Sequence, residues 1–149
     1  YTCAADVGTI GNKLAVDGQA YGGLSHSIGF ALSEDYEQTK KYNTIAGCGV
    51  PQIDAIPDDF NVLYLETPRP LGPQGSAGCS ECFQSSGHMA VINAINNAIG
   101  VRIYALPATP DKVKEALAKK ERGEDLTPEP YWLGSDFNEE LEYIKANPI

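Results

Sequence analysis

The apolar positions of this chain follow two rhythms, one of helices and one of strands, separated by turns rich in glycine and proline. Residues 1–7 read as a strand or the end of one, closed by a turn at Gly8, Gly11 and Asn12. From Val16 to about Leu32 the spacing becomes helical, with Leu24, Ile28 and Leu32 four apart on one face. Gly22, Gly23, Ser25 and Gly29 fall in the same stretch. They cost helix propensity and leave a thin helix that another backbone or a ligand can approach closely. A polar stretch, Ser33 to Asn43, leads through Gly47, Gly49, Pro51 and Pro57 to a strand at Phe60–Glu66, where Phe60, Val62 and Tyr64 alternate with Asn61, Leu63 and Leu65. The leucines on the second face predict burial on both sides.

Pro68, Pro70 and Pro73 remove backbone donors, and Gly72, Gly75 and Gly78 follow at a spacing of three, so this segment reads as a structured loop. A helix is predicted from Cys82 to Ile99, striped by Val91, Ile95 and Ile99, with Gly100 as its stop. Val101–Leu106 reads as a short strand, and Thr109-Pro110 as the start of an amphipathic helix running to about Arg122. The remainder, 123–149, carries seven acidic residues against one lysine, with a short helix signalled by Asp136 and by Glu139 three residues on. Tyr131, Trp132 and Phe137 are its candidate anchors to the body or to a neighbour. The expected architecture is α+β, mixed strands with packed helices, divided into a domain at 1–122 and an acidic C-terminal tail at 123–149.

At 149 residues the chain can make one domain or a piece of a larger one. A net charge of −9 argues against a nucleic-acid partner or an anionic membrane surface, since both require clustered Lys and Arg. No apolar run approaches the roughly 20 residues that span a bilayer. The chain opens Tyr1-Thr2-Cys3, with neither an initiator Met nor a signal-type segment, and the expectation is that it belongs to a longer polypeptide. Four cysteines are too few to staple a domain of this size, which fits a reducing, cytoplasmic setting. Cys79-Ser80-Glu81-Cys82 has the C-x-x-C spacing of a metal knuckle or redox pair, but Cys3 and Cys48 come singly and form no second knuckle. Small thiols in a tight loop are the plainer reading.

Glu81 stands where the glycine-rich loop meets the following helix. Two roles are open to it: a general base, given enough burial or a neighbouring anion to tune it, or a first-turn glutamate that complements the helix dipole. The loop Gly72–Ser80 offers backbone N–H groups suited to an anionic or oxo-rich ligand, yet it matches neither a P-loop nor the G-x-G-x-x-G fingerprint. Gln19, within Asp17-Gly18-Gln19-Ala20-Tyr21-Gly22-Gly23, brings a donor and an acceptor to the entrance of the glycine-rich helix, where it either faces a polar ligand or lies in solvent. His26 and His88 lack metal-ligand spacing and read as structural hydrogen-bonders. No nucleophile elbow or Cys/His dyad stands out.

Three motifs in order, Asp6-Val7-Gly8-Thr9-Ile10-Gly11-Asn12, Asp17-Gly18-Gln19-Ala20-Tyr21-Gly22-Gly23 and Gly75-Ser76-Ala77-Gly78-Cys79-Ser80-Glu81, resemble the C-terminal portion of the molybdopterin-binding domain in the xanthine oxidase family of molybdenum hydroxylases, and most strongly its bacterial aldehyde oxidoreductases. The likeness runs from about Ala5 to Leu117 and leaves the acidic tail outside. The resemblance implies that Glu81 is the base beside the molybdenum in the oxidation of aldehydes to carboxylic acids with water as the oxygen source. It implies that Gly18 and Gln19, with Ser76, Ala77, Gly78, Cys79 and Ser80, line the cofactor site, and that no residue here ligates the metal directly. The implied cofactor is molybdenum in the molybdopterin cytosine dinucleotide form, with [2Fe-2S] clusters elsewhere in the enzyme. The implied partners are the rest of the molybdopterin subunit, an iron–sulfur domain or subunit and a small aldehyde, within an oligomeric assembly. Hydroxylation of an N-heterocycle, a non-catalytic piece that only shapes the cofactor groove, and a cysteine-ligated module are the rival expectations.

Overall fold

The structure, a computed structural model, describes residues 1–35, 43–126 and 137–147. Strand β1 (Thr2–Asp6) is followed by helix α1 (Lys13–Leu32) and then strand β2 (Asn61–Leu65). The strands pair in parallel, in register from Thr2 opposite Asn61 to Asp6 opposite Leu65. Cys3, Ala5, Val62 and Tyr64 point to one face, where they pack with Val7, Val16, Ala20 and Phe83. The other face is open: Leu63 is 58% and Leu65 54% exposed. The two-sided burial expected of these leucines is therefore not met among the described residues, where α1 supplies a helical layer on one side of the sheet only.

Helix α1 begins earlier than the apolar pattern suggests. Asn12, expected in the turn, is its N-cap, and its side-chain oxygen accepts from the Ala15 N–H at 3.0 Å. Its buried face also differs from the Leu24, Ile28, Leu32 stripe. Leu24 is buried, but Leu32 is exposed and the contact surface runs through small residues, Ala20, Gly23, Ser27 and Ala31. Thinness is what lets α1 pack closely on both sides.

The helix expected from Cys82 starts only at Gly87, and α2 spans Gly87–Ile99. Residues Glu81–Phe83 form instead a single 3-10 turn. The Gln84 carbonyl takes a hydrogen bond from the buried Ser27 hydroxyl at 3.2 Å, and α2 starts at Gly87, where a Cβ would lie 2.4 Å from the Ser27 oxygen. Gly100 closes α2 in the left-handed conformation, as expected. Val101–Leu106 is not a strand. It has no strand partner among the described residues, the Ile103 N–H donates to the Asn96 side chain at 2.8 Å, and Val101 and Ile103 are buried with Ala31, Ile92 and Ala108. Helix α3 (Pro110–Glu121) starts at the predicted cap, where Thr109 accepts from the Lys112 N–H, and lays Val113 and Ala116 on that second core. The short tail helix, α4, spans Phe137–Ala146. Tyr131, Trp132 and Asp136 lie outside the described residues.

Candidate functional site

The loop after β2 is fastened first to the turn after β1. Asp6, the last residue of β1, accepts from the N–H groups of Gly8 at 3.2 Å and Thr67 at 3.1 Å and pairs with Arg69 at 3.3 Å. Desolvation pushes the Asp6 carboxyl up, but these hydrogen bonds and the guanidinium outweigh it and hold the group below the ordinary carboxylate range. Thr9 N–H donates to the Gly75 carbonyl and Ala77 N–H to the Val7 carbonyl, each at 3.0 Å, while the Ser76 hydroxyl reaches the Thr9 carbonyl at 2.7 Å. Gly8 and Gly75 both have positive φ, and a Cβ on Gly8 would sit 2.5 Å from the Gly75 oxygen. Only glycine fits that crossing. The Ser76 hydroxyl and the Ala77 N–H, from two of the residues expected to line a cofactor site, thus help to hold the loop in place.

The loop then reaches α1. The Ser80 hydroxyl donates to the Gln19 side-chain oxygen at 2.8 Å. Phe83 is buried against Gly23, where a Cβ would come within 2.6 Å of the Phe83 Cβ, so Gly23 is a notch for this turn. His26 Nδ1 lies 2.8 Å from the Gln84 side-chain oxygen. Together Gln19, Gly22, Gly23, His26, Ser80 and Gln84 enclose a small cleft of about 120 Å³. His26 and Gln84 were not among the expected site residues. The signal was present, because Gln19, Gly22 and His26 follow one another at the three- and four-residue spacing of one helix face.

Asp17, at the head of the Asp-Gly-Gln motif, anchors the helix instead. It accepts from Lys13 and, at 2.7 Å, from the Tyr64 hydroxyl on β2, and Lys13 first and Tyr64 second hold its carboxyl low. Burial and the Asp17 carboxylate push the Tyr64 hydroxyl far up.

Glu81 occupies the 3-10 turn, six residues before the first residue of α2, so the dipole role considered for it has no α-helix to complement. Its side chain is exposed, and among the described residues no hydrogen bond or ion pair engages its carboxylate. The partial burial asked of a base is not provided by the described residues. Cys79 is half-buried and Cys82 exposed, all four cysteines are free thiols, and burial first, then Cys79 and Cys3, push the Cys82 thiol up. Among the described residues no three His, Cys, Asp or Glu side chains gather as a metal site.

An oxygen-rich anionic cofactor fits what remains open. Along α1, Gly18 and Gly22 leave empty space where a side chain would stand, as does Gly78 in the loop. Among the described residues the N–H groups of Gly78, Cys79, Ser80 and Glu81 make no internal hydrogen bond, so a run of backbone donors is left over in the segment that Ser80 ties to Gln19.

Residues 1–57 match the family described as Molybdopterin cofactor-binding domain. The chain is 54% identical to the aldehyde oxidoreductase of Megalodesulfovibrio gigas over 116 residues, which are 78% of this chain and 13% of that protein. It is 36% identical to the nicotine 6-hydroxylase large subunit of Paenarthrobacter nicotinovorans over 118 residues, 74% of this chain and 14% of that protein. The solved aldehyde oxidoreductase of Desulfovibrio desulfuricans aligns with a TM-score of 0.74 at 54% identity, covering 77% of this chain and 13% of that one. The chain spans about 13% of the length of these relatives.

Proposed function

The chain belongs to the xanthine oxidase family of molybdenum hydroxylases, and from that premise we propose that it forms part of an aldehyde-oxidising enzyme in which Glu81 is the active-site base. The observation that carries this reading is the Ser80–Gln19 hydrogen bond, which joins the two glycine-rich motifs one residue before Glu81. The overall reaction takes an aldehyde and water to a carboxylic acid, two protons and two electrons.

In this reading Gln19 holds the cofactor through its amide, with the N–H groups of Gly78 to Glu81 donating to the same anionic face and Gly18 and Gly22 keeping α1 bare enough for close approach. When bound, the molybdopterin cofactor supplies the redox chemistry and accepts the two electrons. Glu81 takes up, at a carboxylate oxygen, a proton of the water that becomes product oxygen. Its exposure here leaves that carboxylate free to be enclosed by other parts of the enzyme, whose walls would exclude water and tune it. The cytosine dinucleotide form of the cofactor, [2Fe-2S] clusters in the remainder of the enzyme and a cytoplasmic setting belong to the same reading.

The test is Glu81→Gln in the intact enzyme. Turnover should fall by about 10²–10⁴-fold, the usual worth of a positioned base, with molybdenum and pterin content unchanged. Full turnover in that variant would refute the role. A second reading, hydroxylation of an N-heterocycle, draws on the 36% identity to a nicotine hydroxylase subunit, and assays of the purified enzyme with aldehydes and pyridine-type rings decide between the two.

A further inference from the structure

The turn that carries Glu81 is three residues long, and among the described residues nothing bonds the Glu81 carboxylate, so its place must be set by what grips the ends of that turn. On one side Ser80 is tied to Gln19, and at the centre Phe83 fills the Gly23 notch. On the other side Gln84, whose N–H donates to the Glu81 carbonyl at 3.2 Å, is held twice: its carbonyl by Ser27 and its side chain by His26. Ser27 also donates to the Gly23 carbonyl at 3.0 Å and is wholly buried, so it belongs to the helix packing. His26 is different. It is exposed on α1, packs against the Phe30 ring at 6.5 Å between centroids, and reaches across 58 residues of sequence to the far end of the Glu81 turn.

We propose that His26 is a positioning residue for Glu81: as a donor through Nδ1 it latches Gln84 to α1 and so fixes the direction in which the Glu81 carboxylate leaves its turn. This rests on the reading of Glu81 as the base, but the latch itself is a mechanical claim about residues 80–86. A fold role alone would not require it, because Phe83 and Ser27 already pin the turn to the helix. Asn is the conservative replacement, since its side-chain nitrogen occupies the place of imidazole Nδ1, whereas Ala removes the donor.

The experiment compares His26→Ala, His26→Asn and Glu81→Gln in the intact, cofactor-loaded enzyme, measuring molybdenum and pterin content, kcat and KM, and deuterium uptake of the 80–86 amides. His26→Ala should keep its cofactor and its KM, lose about tenfold in kcat, the worth of one hydrogen bond, and take up deuterium faster over 80–86. His26→Asn should restore both kcat and protection. Unchanged uptake in His26→Ala, or a loss that Asn fails to restore, overturns the latch. Full activity in Glu81→Gln overturns the base reading instead, and the deuterium result then still decides whether the latch exists.

Discussion

The molecule has two cores that share α1, and they are built by different means. Around the loop after β2, the first core is small, and its surroundings are fixed by directed contacts: two glycines of positive φ crossing at Gly8 and Gly75, the Asp6 carboxylate collecting N–H groups, and side-chain hydrogen bonds from Ser76 and Ser80. The second core, between the end of α1, α2, α3 and the 101–108 segment, is held by apolar burial, with Ile92, Val101 and Ile103 at its centre. Directed contacts fix angles and leave donors facing outward, whereas apolar packing tolerates small shifts and exposes nothing reactive. The half that carries the candidate site is the half in which position is specified atom by atom.

That contrast can be broken experimentally. The largest effect is expected for Ile92→Ala, which removes a fully buried side chain and should cost about 2–5 kcal/mol. Hydrogen exchange in the assembled enzyme should then quicken across α2 and α3 while the 75–77 amides stay protected, and equal loosening of both regions would mean that α1 welds the two cores into one. Next comes Gly8→Ala, whose Cβ meets the Gly75 carbonyl in a backbone conformation that alanine resists, for about 2–4 kcal/mol concentrated in the loop. Here cofactor content should drop before α2 or α3 opens. Thr109→Ala deletes the cap of α3 and should cost about 1 kcal/mol, visible as fraying of that helix with turnover untouched.

The smallest effect is on pH. Since the folded Asp6 carboxyl sits below its ordinary value, its contribution is present above that value and is lost as pH falls through the lower, folded one. Deuterium uptake at Gly8 and Thr67 should therefore rise below about pH 4 in the wild type. In Asp6→Asn that acid step should vanish.

Much of the helical half was legible in the sequence, because apolar spacing, the Thr109-Pro110 start and the Gly100 stop are local signals. Val101–Leu106 was misread for a physical reason: a short apolar run looks the same whether it pairs with a strand or fills a helical core, and only the missing partner decides. The start of α2 was hidden likewise, since the competing bond from Ser27 to the Gln84 carbonyl comes from 57 residues away. In the site half the motifs and Glu81 could be picked out, and so could Gln19. What could not be read was which polar groups are already bonded: the Ser76 hydroxyl and the Ala77 N–H bond to the turn after β1, while the N–H groups of Gly78 and Ser80 make no bond among the described residues. His26 reads in the sequence as a structural hydrogen-bonder, which it is, but its place beside the candidate site shows only when its helix face is compared with that of Gln19.

The central claim is that this chain builds one wall of a cofactor site where the Gln19 helix and the Glu81 turn meet. A crystal structure of the intact, cofactor-loaded enzyme tests it most directly. It should show the Gln19 amide and N–H groups from Gly78 to Glu81 within hydrogen-bond distance of the cofactor, with the Glu81 carboxylate enclosed and facing the molybdenum. A cofactor seated away from this cleft, with Glu81 left in bulk solvent, would contradict it.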